Sequence, residues 1–302
     1  MGPSLARMAL RASLDAGIQR RVIAVSRFGD AAVQSELGAW GVETIRGDLL
    51  DERFVASLPD VPNIVNLVGF KFGSSDATGK LWATNTYLPA IVCRRFSDSR
   101  IVALSTGNVY GMIPVAGHRS SVESDPPRPA GEYAMSCLGR ERIYQYFSQK
   151  SGTQTSLIRL NYAAEMRYGV LVDLAQQVYR EQPISLTVGS ANVIWQADAS
   201  AHVLCALEHA SSPPFLLNVT GPERVCCREV CERFGQLTNK RVKFSDSEGP
   251  VALLSDATRA FELFGKPRVS LDCLIKWTAD WIVRENPTAN KPTHFEVTDG
   301  EF

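Results

Sequence analysis

Short apolar runs alternate with longer amphipathic stretches along most of the chain. Arg21-Val-Ile-Ala-Val-Ser-Arg27, Asn63-Ile-Val-Asn-Leu-Val-Gly69, Ile101-Val-Ala-Leu-Ser-Thr106, Thr155-Ser-Leu-Ile-Arg-Leu-Asn-Tyr162 and Phe215-Leu-Leu-Asn-Val-Thr-Gly221 read as strands, the Ile101 run as a buried one. A weaker one lies in Gly41-Val-Glu-Thr-Ile-Arg-Gly47, and Pro183-Ile-Ser-Leu-Thr-Val-Gly189 is another. Helical patterns fall between them: from Gly2 through Ala12, up to Phe96, from Gly131 to Lys150, Val170 to Arg180, 199–210, Arg228 to Leu237 and Leu271 to Val283. Strand and helix in alternation predict an α/β fold with a parallel sheet. The tail from Asn286 to Phe302 is polar, with Pro, Asn and Gly, and reads as an extended arm or a mobile end.

Composition narrows the function. The 302 residues carry no net charge and no basic block, so nucleic acid is not expected as a partner. No apolar run is long enough to span a membrane, and Arg7 and Arg11 interrupt the amphipathic start, which is no secretory leader. Seven cysteines without a C-x-x-C pair, beside four histidines, read as reduced thiols of a cytoplasmic protein with no metal site. Cys226, Cys227 and Cys231 are expected as small buried residues of one helix.

Two stretches carry candidate chemistry. Ile101-Val-Ala-Leu-Ser-Thr-Gly-Asn-Val-Tyr-Gly111 is an apolar run that ends in hydroxyls and glycine, as a strand does when it opens into an active-site loop. Gly131-Glu-Tyr-Ala-Met-Ser-Cys-Leu-Gly-Arg-Glu-Arg142 opens a helix on which Tyr133, Cys137 and Arg140 share a face. Together they resemble the extended short-chain dehydrogenase/reductases, the NAD(P)-dependent sugar epimerases and dehydratases. That resemblance implies a Rossmann-like, doubly wound parallel sheet with a smaller C-terminal substrate-side portion. Residues 1–162 would form the dinucleotide-binding domain, with 191–219 returning to it, and 163–190 and 220–302 the substrate side.

Site residues follow from the same resemblance. Thr106 takes the place of the catalytic hydroxyl and Tyr133 that of the catalytic tyrosine; Cys137 stands where the family has lysine. That lysine favours the tyrosinate and holds a cofactor ribose, and a neutral cysteine supplies no charge. Lys71 matches a lysine that touches the cofactor pyrophosphate in some members, and is the first candidate to lend the missing charge. Arg140 is expected as an ordinary solvated or salt-bridged arginine. Gly2 would be the last glycine of the dinucleotide fingerprint, so the chain begins inside that motif: either the start lies upstream or the first strand is lacking. Arg27, after the second strand, favours NADP over NAD. Asp48 and Leu49 would flank the adenine, and Gly69 and Asn85 would lie beside the cofactor. Asn108, Asn161, Asn192, Trp195 and Gln196 fall where relatives meet substrate.

The leading expectation is an NAD(P)-dependent oxidoreductase that moves hydride at a carbinol carbon of a sugar, sugar acid or nucleotide sugar. Thr106 would orient the oxygen and Tyr133 would carry the proton. The competing expectation is a non-catalytic NAD(P)-binding sensor or scaffold that lost its chemistry with the lysine. Family habit also implies a homodimer.

Overall fold

The computed structural model describes residues 1–71, 77–117, 119–291, 293–298 and 300. The run that starts at Asn63 continues in the sequence as Phe70-Lys-Phe-Gly73, and of this continuation Phe72 and Gly73 lie outside the described residues. Four parallel strands form the main sheet: β3 (Asn63–Asn66), β4 (Arg100–Thr106), β6 (Thr155–Leu160) and β11 (Phe215–Val219), in the spatial order β11-β6-β4-β3. Ile101 pairs with Thr155 and Thr106 with Leu160, so β4 and β6 run in step to the same carboxyl edge. Ile101, Val102, Ala103 and Ile158 are wholly buried, as strands covered on both faces require.

A second parallel pair, β1 (Ile23–Ser26) and β2 (Glu43–Arg46), stands apart. Among the described residues no ladder joins it to β3. Side chains bridge the gap instead: Val25 and Ile45 pack with Ile64, Val55 and Ile91 in one apolar cluster.

The helices that cover the sheets are α1 (Gly2–Asp15), α2 (Ala31–Ala39), the short α3 (Glu52–Ala56), α4 (Thr78–Trp82), α5 (Leu88–Arg95) and α6 (Gly131–Ser151). Between α4 and α5 the residues Ala83–Tyr87 form a π-helical turn with Asn85 at its centre. Such turns concentrate at functional sites. Gly152 ends α6 in the left-handed conformation, φ 71°.

The C-terminal part is held by helices α7 (Val170–Tyr179), α8 (Gln196–Cys205), α9 (Cys227–Thr238), α10 (Thr258–Phe264) and α11 (Leu271–Val283). Two-residue strands stitch it together: β5 (Ile113–Pro114) with β14 (Val251–Ala252), β7 (Ala163–Ala164) with β10 (Ile194–Trp195), β8 (Pro183–Ile184) with β13 (Lys243–Phe244), and β9 (Ser190–Ala191) with β12 (Val225–Cys226). The strand expected over 183–189 is thus confined to Pro183–Ile184, because its neighbour β13 offers only two residues to pair with. Cys227 and Cys231 lie in the core between α7, α9 and α11, and every cysteine is a free thiol. After α11 the chain returns as an arm. Phe295 is buried in that core, and Thr293 donates to the Asp173 carboxylate from its amide (2.8 Å) and its hydroxyl (2.6 Å).

Candidate active site

The site forms where β3, β4 and β6 end, at the carboxyl edge expected for a doubly wound sheet. Thr106 closes β4 and caps the 3-10 turn Gly107–Tyr110, its hydroxyl accepting from the Asn108 amide at 3.2 Å. Tyr133 lies in the first turn of α6, with its phenol close enough to the Thr106 and Cys137 side chains for both to act on its titration. The structure thus brings the two residues of the expected pair together.

Cys137 is 1 % exposed and packs with Val109 and Tyr110, so a small apolar residue occupies the lysine position. Burial pushes its thiol up, opposed by Arg140, by the bond with Tyr133 and by Lys71. Burial also pushes the Tyr133 phenol well above its ordinary range, reinforced by Cys137 and opposed by Arg140 and by the Thr106 hydrogen bond. Both groups are therefore neutral at physiological pH.

Arg140 corrects an expectation. It is not solvated but 5 % exposed, and no ion pair holds it among the described residues. Its Nε and Nη2 donate to the Asn85 carbonyl (3.1 Å) and Asn85 Oδ1 (2.7 Å), and Nη1 donates to the Leu104 carbonyl. Asn85 in turn accepts from the Phe70 amide and donates to the Phe70 carbonyl, both at 2.9 Å, and reaches Ser136 at 3.0 Å. A Cβ on Gly69 would come within 3.3 Å of Arg140 Nη2. Gly69, Asn85 and Arg140 thus pack together in one hydrogen-bonded cluster, and of these Arg140 acts on the Tyr133 phenol.

Lys71 also lies against Tyr133. Its Nζ is 5.7 Å from the centroid of the Tyr133 ring and donates to the Thr293 carbonyl at 3.3 Å. Burial lowers its ammonium to about 8, opposed first by Cys137 and then by the carboxylates of Glu296 and Asp173. Lys71, Asn108, Tyr162 and Leu253 line a cleft whose other wall is the arm, through Val297, Thr298 and Gly300. The space that remains is about 30 Å³. Gly131 and Gly300 meet backbone to backbone: a Cβ on Gly131 would be 2.4 Å from the Gly300 carbonyl oxygen.

The remaining expected residues are spread more widely. Arg27 is exposed at the end of β1, and the Arg46 Nε donates to its carbonyl at 3.0 Å. Arg46 therefore stands beside it, a second cation that the sequence reading missed. Asp48 Oδ1 accepts from the Leu50 amide, Leu49 packs in the apolar cluster under β3, and Gly2 opens α1 near Leu67. Asn161 donates to the Leu253 carbonyl at 3.1 Å, behind the cleft. Asn192 is tied to the Glu223 carbonyl and the Ser255 amide, Trp195 stacks edge-on to Trp277, and Gln196 begins α8. Glu141, on α6 beyond Arg140, was also missed: it takes two bonds from Arg159, at 3.0 and 2.7 Å, and one from Ser105 at 2.6 Å. Its signal was the register of α6 against β6, which a single sequence does not display.

The model of the NAD dependent epimerase/dehydratase family matches residues 4–214. The chain belongs to the NAD-dependent epimerase/dehydratase family. Similar solved structures include a UDP-glucose 4-epimerase from Thermus thermophilus in complex with NAD, 19 % identical, TM-score 0.75, covering 92 % of this chain and 96 % of that one. A dTDP-glucose 4,6-dehydratase variant from Streptomyces venezuelae with NAD bound is 18 % identical, TM-score 0.78, covering 94 % of each chain. A UDP-glucuronic acid 4-epimerase from Bacillus cereus is 16 % identical, TM-score 0.75, covering 94 % and 96 %. At these identities the likeness is one of fold. No curated protein matches the chain at a significant level.

For an epimerase/dehydratase family member, the residues present fit a nicotinamide dinucleotide. Arg27 and Arg46 are exposed at the ends of β1 and β2, where they would meet the adenosine end, and Lys71 in the cleft would meet the other. Among the described residues no group of His, Cys, Asp and Glu is arranged to hold a metal ion, and no helix is long and apolar enough to cross a membrane.

Proposed function

We propose that this chain is an NAD(P)-dependent oxidoreductase acting at a carbinol carbon of a sugar, sugar acid or nucleotide sugar. The observation that carries the reading is the meeting of Thr106, Tyr133, Lys71 and Asn108 at one carboxyl edge of the family's fold. When bound, the nicotinamide would accept and return hydride. Thr106 and Tyr133 would hold the substrate oxygen from two sides, and Asn108, held by the Thr106 cap, would face the sugar. The neutral Tyr133 serves as a hydrogen-bond donor. NADP is the preferred dinucleotide, supported by the paired exposed arginines 27 and 46.

A gap of about 30 Å³ holds roughly one water. The sugar therefore enters only as the arm residues Val297, Thr298 and Gly300 withdraw from the cleft. Exposed Trp82, Tyr87, Met135 and Tyr146 lie on α4–α6 and support a homodimer through that face.

The test is titration of the protein with NADPH and NADH, followed by nicotinamide fluorescence, and then hydride exchange with UDP- and dTDP-hexoses. Binding of NADPH with slow exchange on at least one sugar nucleotide is expected. Flat responses to both dinucleotides would sink the reading.

A further inference from the structure

The site has a chemical gap. The cation that the family places four residues after its tyrosine is replaced by the buried, apolar-packed Cys137. At that position Tyr133 meets a thiol where the family has its ammonium, and desolvation moves the phenol further from the role of a base. A proton must nevertheless leave the carbinol oxygen when hydride leaves its carbon. Some group with an accessible electron pair near neutral pH has to receive it.

Lys71 is placed for this. It lines the cleft, its Nζ sits over the Tyr133 ring, and it is within hydrogen-bond reach of the wall opposite, at the Thr293 carbonyl. Among the described residues the titratable groups about it come from three directions: the Cys137 thiol on α6, Asp173 on α7 and Glu296 on the arm, with the Tyr133 ring under Nζ. Asp173 is engaged by both donors of Thr293. The hydrogen bond that Lys71 makes to Thr293 is to a neutral carbonyl, which an uncharged amine donates to as well as an ammonium. Burial of the ammonium brings its ordinary value of 10.5 down to about 8, so a useful fraction of amine exists at neutral pH.

We propose that Lys71 Nζ, not the phenol of Tyr133, exchanges the proton with the substrate hydroxyl. This rests on the oxidoreductase reading above. In the oxidative direction the substrate O–H breaks and an N–H forms on the neutral amine, giving ammonium. The carbinol C–H electron pair departs as hydride to a nicotinamide dinucleotide, and C–O becomes C=O. The return step reverses each transfer. Tyr133 and Thr106 hold the oxygen while this happens.

The experiment has two arms. In the first, the full chain is reductively methylated with ¹³C-formaldehyde, and its dimethyl-lysine signals are followed from pH 6 to 11. The signal absent from Lys71→Gln is expected to titrate near 8; an ordinary midpoint near ~10.4 overturns the inference. In the second arm, turnover is measured with NADPH or NADP and a panel of UDP- and dTDP-hexoses. Lys71→Gln is expected to lose about 100-fold or more in kcat, together with the limb of the pH profile near 8. Lys71→Arg keeps the charge but cannot release a proton, and is expected not to rescue. Tyr133→Phe is expected to lose about tenfold, the worth of one hydrogen bond. Rescue by Lys71→Arg, or a pH profile unchanged in Lys71→Gln, overturns the inference alone. A wild-type chain inert across the whole panel sinks the reading beneath it, and the inference with it.

Discussion

Glu141 and Arg159 face each other across α6 and β6 in a fully buried ion pair, with Nη2 to Oε2 at 2.7 Å and side chains 1 % and 3 % exposed. The guanidinium also lies 4.5 Å above the Tyr110 ring, and Tyr110 in turn donates to Asn218 at 2.7 Å. The pair ties the helix that carries Tyr133 to the strand beside Thr106. Removing one partner leaves a buried charge, so Glu141→Gln is expected to cost about 3–5 kcal/mol in urea unfolding. Replacing both by apolar residues of similar size is expected to recover most of that loss. Equal stability of the single and double variants would show that the charges are not buried as described.

Lys71 gives stability a particular dependence on pH. Its folded value is lowered to about 8, whereas the unfolded chain titrates at the ordinary value of 10.5. Between those two values the unfolded state binds more protons, so stability rises as the pH climbs from 8 to 10.5. Below 8 the cost of the buried ammonium is fully present, roughly 3 kcal/mol at most. Lys71→Met is therefore expected to stabilise the protein at pH 7 by about 1–3 kcal/mol and to flatten the curve above pH 8. Urea midpoints at pH 7, 8 and 9.5 measure both; a variant less stable at every pH would contradict the sign.

Arg27 and Arg46 make a prediction about the dinucleotide. If both face a 2′-phosphate, Arg27→Ala and Arg46→Ala each weaken NADP binding by about tenfold, or ~1.4 kcal/mol, and leave NAD within about twofold. Fluorescence titration with NADPH and NADH decides it. Equal losses for the two dinucleotides would place the arginines away from the phosphate.

The arm is tested at Gly131. That residue has φ +74°, and a Cβ there would meet the Gly300 carbonyl oxygen at 2.4 Å, so Gly131→Ala is expected to dislodge the arm. Amides 293–298 should then exchange their hydrogens at least about tenfold faster, while those of β4 and β6 keep their protection. Unchanged protection over 293–298 would mean that the contact does not hold the arm.

Much of this was written in the pattern of the chain. Helix α11 was read as Leu271 to Val283, the bounds it has, because its apolar face repeats without interruption and Ser270 caps it through the Cys273 amide. Strand β4 was equally legible, since a strand buried on both faces shows an unbroken apolar run. Arg140 was not. Helical spacing put it on the face of Tyr133, but its partners are the carbonyl and side chain of Asn85, 55 residues away on a π-helical turn, and the Leu104 carbonyl on β4. The arm was harder still. A polar tail with one deeply buried aromatic, Phe295, has no periodicity, and its docking depends on two glycines distant in sequence. Contacts between chemically ordinary residues far apart along the chain leave no local mark.

The break between β1–β2 and the main sheet gives the molecule a seam. Across it run apolar contacts, Val25 and Ile45 against Ile64, and no strand-to-strand ladder among the described residues. A ladder resists shear because its directional bonds must fail together, whereas an apolar contact slides with little penalty. Pulled from opposite faces, the protein would part first along this line. The exposed arginines 27 and 46 would then travel with one piece, and Thr106 and Tyr133 would stay with the other.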